Sequence, residues 1–463
     1  MKTKKMLVVS VLLMLSTGIV TATPADLNCG TVIVGAGGAG VRAAIELKEH
    51  GKNVCLVEKM PFIGGSSNLA ASYFSVINTK EQRAAGKGGS LEGYIATHQK
   101  VNPNLSAERV KELQSGGQEA LDWLNSLGAN ITRPISSYQI AQAEGRSLGS
   151  TIMSVMSKKL KEVGVTPILN TKAIKINVKG DTVTGVVVEN KAGEKYTINA
   201  PNVILATGGF ASSQDAVKKY APQWQGTAST SAKGSTGDAL EMAKAIGANL
   251  KFMDYVRMNP SVYIDKNGQA SSLSVMRAEG GIMVNLDGKR FCNDYFPDYT
   301  QLSKWILKQK NGEVFVIVDS KAMNKSKRMQ GFRDKGYFIV ADTIPELAKK
   351  MGVPVKNLAQ TIKNYQEAVR TGEDKEFGRK FNLSIDFTQP PFYAAKTKPG
   401  IQVTLGGIEV NKEFEVINKE GKPIKGLYAV GEVAHDGLFG SSPTVVNTVF
   451  GKKVADYIIK KDK

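Results

Sequence analysis

A glycine turn set between a strand and a helix constrains this chain more than any other feature. Thr31 to Val34 is a short apolar run rich in β-formers, and Gly35-Ala-Gly37-Gly38-Ala-Gly40 leads from it into Val41 to His50, where apolar residues recur at helical spacing. A second strand, Asn53 to Val57, ends in Glu58. The unit reads as βαβ, the opening of a dinucleotide-binding sheet. Its glycines let the backbone turn tightly, approach a pyrophosphate closely and pack the helix on the strand, while the helix N-terminus faces the negative charge. Glu58 then stands where a carboxylate can accept hydrogen bonds from a ribose.

NAD and FAD both suit such a unit, so the remaining glycine motifs decide. Gly64-Gly65-Ser66-Ser67 comes just after the second strand, Ala206-Thr207-Gly208-Gly209 ends a later strand, and Gly431-Glu432 ends the last one. Together they favour FAD. Between these motifs, Glu108 to Leu127 and Thr151 to Val163 read as helices. Pro167 to Ala200 reads as a meander of short antiparallel strands, and Asn202 to Ala206 as one more buried strand. The segment from about Asn259 to Thr397 mixes helices and strands without a nucleotide motif and reads as an inserted domain. A strand at Gly426 to Gly431 and a helix from Pro443 to Ile459 then complete the first sheet. The expected division is a signal peptide over 1–22, an FAD-binding domain formed by 26–258 together with 398–463, and a cap over 259–397 inserted between those two stretches.

The signal peptide is read from Lys2, Lys4 and Lys5 preceding an apolar run, Met6 to Val20, that ends in small residues through Ala25. Cleavage after Ala22 or Ala25 suits it, and the run is short for a spanning helix of roughly 20 residues. The setting is therefore oxidising and extracytoplasmic, a periplasm. Cys29, Cys55 and Cys292 form no metal-ligand spacing, cannot all pair, and are expected to contribute little as disulfides. No Cys-x-x-Cys-His occurs, so no c-type haem is attached to this chain. Net charge of +19 falls to about +16 without the three signal lysines. Such a field draws acidic partners or anionic substrates, or is simply a solvated lysine surface; scattered lysines with few interleaved aromatics do not make a nucleic-acid stripe.

In these motifs the chain resembles the flavocytochrome c and soluble fumarate reductase flavoproteins, within the succinate dehydrogenase superfamily. The resemblance is carried by Val34 to Gly40, by Glu58-Lys59, and by Ile63-Gly-Gly-Ser-Ser-Asn-Leu-Ala-Ala71. It continues through Ala206-Thr-Gly-Gly-Phe-Ala211, Thr236-Gly-Asp238, Gly288-Lys-Arg-Phe291 with Asn293, and Gly426-Leu-Tyr-Ala-Val-Gly-Glu432. It implies an α/β, Rossmann-like FAD domain interrupted by an α+β cap, with substrate held over the flavin between them. It further implies that Ser66, Ser67, Asn68, Ala70 and Ala71 line the cofactor and that Ala173 meets the adenine through its backbone. Asp238 would lie near the cofactor, Glu432 at the ribitol or phosphate, and Ser442, Thr444 and Val445 at the start of the last helix. Relatives with covalent flavin use a histidine near Gly64-Gly65; Ser67 and Asn68 stand there, which implies non-covalent FAD.

The family's dicarboxylate clamp is not matched. An ungapped comparison places Asp298 where the acid arginine belongs, Gln402-Val403 replaces a His-His pair, and the Asn-Arg near the C-terminus is absent from Gly437 to Pro443. Only Arg277 matches a family arginine, one in the proton-relay path; a surface or structural arginine is the alternative. Losing these cations removes the bidentate clamps a dicarboxylate needs. Reducing a C=C bond still requires a proton donor. Tyr299 is the candidate, since its Pro-Asp-Tyr setting is similar to the Pro-Tyr of ketosteroid dehydrogenases with the spacing differing by one residue, against the alternatives of an ordinary cap tyrosine or of a buried Asp298 acting as the acid. His435 either approaches the flavin or is structural, His50 and His98 read as exposed, and Met258 and Met276 as core. The expected activity is FAD-dependent reduction of an activated C=C bond in an enoate, aryl acrylate or enone, with electrons from a separate c-type cytochrome. The rivals are an FAD dehydrogenase or oxidase of a ketosteroid-like or amino-acid substrate, and a flavoprotein that only relays electrons.

Overall fold

The computed structural model describes residues 25–70, 73–143, 147–438 and 443–462. The signal segment, Ala71 and Ser442 lie outside the described residues. Elements used below are β1 (Thr31–Val34), α1 (Gly38–Glu49), β2 (Val54–Val57), β3 (Thr171–Lys179), β4 (Thr182–Asn190), β5 (Lys195–Asn199) and β6 (Asn202–Leu205). They continue with α2 (Asp238–Ala245), β7 (Val256–Ile264), α3 (Tyr299–Leu307), β8 (Val314–Val318), β9 (Phe392–Thr404), β10 (Pro423–Ala429) and α4 (Pro443–Lys461).

β1 and β6 are buried along their whole length, as strands covered on both faces must be. They sit beside β2 and β10 in a parallel core ordered β10-β6-β1-β2, to which the antiparallel meander β3-β4-β5 is joined through β4. The registers align Val34 with Val57 and with Leu205, and Leu205 with Ala429. The four strands therefore end together, and the segments that follow, Gly35, Glu58, Ala206 and Gly431, gather outside one carboxyl edge. That edge is where open α/β sheets bind their ligands.

A second sheet lies in the inserted segment. It runs β7-β9-β8, with β9 antiparallel to both neighbours, and carries its own apolar core, including Met276, Val316, Ile317 and Tyr365. The expected boundaries 258/259 and 397/398 fall inside β7 and β9, so two continuous strands, rather than linkers, carry the chain between the two sheets.

Two expectations need correction. Glu108 to Leu127 is not one helix but two, Ala107–Ser115 and Gly117–Ser126, broken at Gly116. A Cβ on Gly116 would lie 2.7 Å from the Val449 side chain, so α4 leaves no room there for a larger residue. Cys29 and Cys55 form a disulfide with their Cα atoms 6.0 Å apart, contrary to the expectation that disulfides contribute little. Cys29 stands just ahead of β1, and Cys55 lies in the adjacent strand β2, opposite Val32. The bridge closes 26 residues around the βαβ unit. On the chain-entropy view, Cys29→Ser should lower unfolding free energy by about 3 kcal/mol, and dithiothreitol should lower the wild type but not the variant; urea denaturation of both proteins checks this. The third thiol, Cys292, is buried, and burial pushes it up to about 12, so it remains an inert thiol.

Candidate functional site

At the carboxyl edge the glycine turns interlock. Gly37 bridges Gly64, and the Gly64 N–H donates to the Ala36 carbonyl at 2.8 Å, which fixes the second turn beside the first. The Gly38 N–H donates to Ser67 Oγ at 3.0 Å, and Asn447 of α4 donates to the same oxygen at 3.1 Å. Gly40 has no space for a side chain, because a Cβ there would collide with the Gly35 carbonyl. α1 begins at Gly37 with no side-chain cap and no acidic residue in its first turn. Beyond the Gly38 N–H, which Ser67 holds, the N–H groups of the first turn have no side-chain cap and can meet an anion, as a pyrophosphate site requires.

Glu58 follows β2 with both carboxylate oxygens directed at this edge, Oε2 accepting from Ala36 N at 2.9 Å and Oε1 from Met60 N at 2.8 Å. Each oxygen keeps a lone pair for a ribose hydroxyl. Beside it, Lys59 Nζ donates to Thr236 Oγ1 and Asp238 Oδ2, both at 2.5 Å, and Lys172 Nζ reaches Asp238 Oδ1 at 2.9 Å. Burial pushes the Asp238 carboxyl up, but the two lysines outweigh it and hold it below the usual carboxylate range. Ala173 is buried in β3, where the ladder with β4 slips between Ala173 and Lys175.

At the other end, Ser66 Oγ accepts from Ala232 N at 2.9 Å and lies 3.2 Å from Ser235 Oγ, which itself neighbours Gly208. Ala70 accepts from Gly149 N at 2.8 Å, and Asn68 donates back to the Ile63 carbonyl at 3.2 Å. Thr207 follows Ala206 out of β6. Glu432 Oε1 accepts from the Thr404 N–H at 3.0 Å and its hydroxyl at 3.1 Å, and burial pushes this carboxyl up. A Cβ on Gly209 would strike both Thr404 and Glu432. Thr444 and Val445 open α4, which packs along α1, and both are buried. The structure therefore brings the described candidates to one edge as a groove with an anion end, a ribose end and a buried carboxylate end, and this fits a dinucleotide.

The cap candidates meet the groove at its Glu432 end. Thr404 is the last residue of β9 and pairs with Val256, while its neighbour Val403 pairs with Arg257. α3 packs on β7, and Thr300 Oγ1 accepts from Met258 N at 3.4 Å. Tyr299 is the first residue of α3, and the Arg277 guanidinium lies 4.7 Å from its ring centre. Arg277 is not a surface residue: it is 2% exposed, with Nε donating to Ser261 Oγ at 3.0 Å and Nη1 to the Asp294 carbonyl at 3.1 Å. The Tyr299 hydroxyl has no hydrogen bond among the described residues. Asp298 caps α3 by accepting from Gln301 N at 3.0 Å, a structural role that occupies the carboxylate considered as an acid.

Met258 and Met276 are fully buried in the two cores. His435 is buried against Phe252, with its ring nitrogen 3.4 Å from the Leu405 carbonyl, and burial lowers its pKa. His50 is exposed at the end of α1, but His98 is only half-buried and stacks on Tyr94 at 3.8 Å rather than lying free. Thr404, Lys172, Asn447 and Arg257 were not anticipated.

Residues 30–449 match the model of a family described as FAD binding domain. The chain belongs to this family. A probable fumarate reductase, Ifc3, of Shewanella frigidimarina is 34% identical over 92% of this chain and 72% of its own length. A urocanate reductase of Eggerthella lenta is 30% identical over 87% of this chain and 69% of its own. The solved open conformation of a flavocytochrome c3 fumarate reductase superposes with a TM-score of 0.81 at 33% identity, covering 94% of this chain and 78% of that one. The protein is an FAD-binding oxidoreductase of the fumarate-reductase type, acting on carbon–carbon bonds.

Proposed function

We propose that this protein is an exported reductase of an activated C=C bond, with Tyr299 as its proton donor and a separate c-type cytochrome as its electron source. The observation that carries the reading is the pairing of Tyr299 with Arg277 at the start of α3, a helix that packs on β7, the strand whose first residue pairs with Thr404, which holds Glu432. What bound FAD supplies is a hydride for one alkene carbon. Tyr299 delivers the proton to the other carbon and recovers it from solvent, which balances the two-electron reduction. Arg277, held by Ser261 and Asp294, fixes the ring from its face. Glu58, Lys59 and the glycine turns hold the adenosine and pyrophosphate portions.

Export is supported by the Cys29–Cys55 bridge, since disulfides persist in oxidising compartments. No helix among the described residues is long and apolar enough to cross a membrane. The test is anaerobic stopped-flow oxidation of the dithionite-reduced, FAD-loaded enzyme by a panel of unsaturated acids and enones. At least one activated alkene should reoxidise the flavin faster than buffer. Bleaching of the oxidised flavin by a saturated ketone would reverse the direction. Exchange with cytochromes but with no organic acceptor would leave an electron relay.

A further inference from the structure

Arg257 is the one arginine on β7, and its surroundings are unlike those of a structural arginine. Its neighbours Val256 and Met258 are buried in the first core, while Arg257 is only half-buried, at a point where the register between β7 and β9 shifts. It has no hydrogen bond or ion pair among the described residues. Burial lowers its pKa, and the titratable groups whose charge acts on it are Tyr94, Tyr299 and Asp298. Asp298 keeps its negative charge while it caps α3 and acts on the guanidinium from a distance, but no carboxylate forms an ion pair with Arg257 among the described residues. An ionised, partly desolvated arginine without a partner is costly unless an anion joins it.

Its surroundings are also aromatic. Tyr94 lies 5.8 Å from Tyr138, ring centre to ring centre, and feels the charge of Arg257. Tyr73, just past the Gly64–Ala70 turn, feels Glu279, Tyr295 and Tyr299 from the cap. Tyr73 and Tyr138 are 39% and 40% exposed, and none of Tyr73, Tyr94, Tyr138 and Tyr299 has a hydroxyl hydrogen bond among the described residues. The two units thus face one another across phenol rings, and Arg257 is the cation there whose guanidinium makes no hydrogen bond among the described residues. The other cations nearby are hydrogen-bonded, though neither is paired with a carboxylate: Arg277 through Nε and Nη1, its Nη2 buried without a partner, and Arg133 on the Gln142 carbonyl at 3.4 Å. Glu279 adds negative charge at the Tyr73 end, which opposes a second substrate carboxylate there.

We propose that Arg257 anchors the carboxylate of a monoanionic 2-enoate whose β-carbon carries an aromatic ring, lying among Tyr73, Tyr94 and Tyr138. This rests on the reading of the protein as a C=C reductase and names its substrate class. With the carboxylate on Arg257, the alkene lies between the Glu432 end of the groove and Tyr299, one register step along β9.

The test uses the FAD-loaded full chain with Arg257→Gln, Arg257→Lys and Tyr94→Leu, at matched flavin content. Calorimetric binding of 3-phenylpropanoate to the oxidised enzyme should weaken about 10- to 100-fold in Arg257→Gln, the loss of one charged hydrogen-bonded contact. Arg257→Lys should recover some of it. In reoxidation of the reduced enzyme, trans-cinnamate should outpace fumarate. Arg257→Gln should raise the apparent KM for trans-cinnamate more than it lowers the limiting rate, and should not alter the response to methyl trans-cinnamate. Tyr94→Leu should raise the KM for cinnamate more than that for acrylate. Fumarate outpacing cinnamate, or Arg257→Gln leaving both Kd and KM in place, overturns the proposal. If no alkene reoxidises the wild-type flavin while 3-phenylpropanoate still binds through Arg257, the reductase reading falls and the anion site stands.

Discussion

Tyr299→Phe should lower the rate of alkene-driven flavin reoxidation by about 10²- to 10⁴-fold, the usual contribution of a positioned general acid. The variant is informative because it removes one oxygen and little else. The phenylalanine ring still lies against Arg277, whose guanidinium is 4.7 Å from the ring centre, and Asp298 still caps α3 through the Gln301 N–H. No described hydrogen bond is broken, so flavin content and thermal stability should match the wild type. Binding of a saturated product should also persist, because the phenol donates a proton only after the substrate is seated. Reoxidation by ferricyanide, which needs no proton donor in the protein, should be unaffected and serves as the internal control. A variant that reduces the alkene at more than a tenth of the wild-type rate would remove Tyr299 from the reaction.

The cofactor half of the site was legible in the sequence because its constraints are local. A turn that allows no Cβ must be glycine, as at Gly40, and a strand buried on both faces must be continuously apolar, as in β1 and β6. Motifs separated by more than 350 residues, Gly40 and Gly431 among them, then converge because parallel strands end in register. What escaped depends on register between strands far apart in the chain. The pairing of Cys29 with Cys55 needs the β1–β2 alignment, and the Thr404–Glu432 contact needs β9 to reach back from the cap. Arg257 left a faint signal, an arginine between Val256 and Met258, but its lack of a hydrogen bond or ion pair among the described residues is a three-dimensional fact. Gly116 looked like a residue inside a helix because the constraint on it, Val449, comes from the other end of the chain.

Tyr299 is only as well placed as the cap beneath it, and the cap is tied by a buried ion network centred on Asp294. Asp294 is fully buried: Oδ1 accepts from Arg379 Nη1 at 2.9 Å, and Oδ2 from Arg290 Nε at 3.2 Å and the Met283 N–H at 3.1 Å. Arg290 also holds Asp374 at 2.7 Å, and Arg379 reaches the Gly280, Gly281 and Asn382 carbonyls. Two guanidinium groups thus face two carboxylates with Tyr365 packed between, 5.1 Å from Arg290 and 5.5 Å from Arg379. Burial pulls the Arg290 pKa down, but Asp294 and Asp374 outweigh it and raise it above the usual arginine value. Removing Asp294 leaves two buried cations with one carboxylate, so Asp294→Ala should cost about 3–5 kcal/mol of unfolding free energy, read from urea denaturation followed by tryptophan fluorescence. Arg277 donates to the Asp294 backbone carbonyl rather than its side chain, so the substitution reaches Arg277 and Tyr299 only through movement of that irregular segment. If 3-phenylpropanoate binds the folded protein as proposed, some of the lost stability should return in its presence by mass action. A loss below about 1 kcal/mol, within the range of an ordinary surface substitution, would mean that the apolar packing around Tyr365, rather than the ion network, holds the cap together.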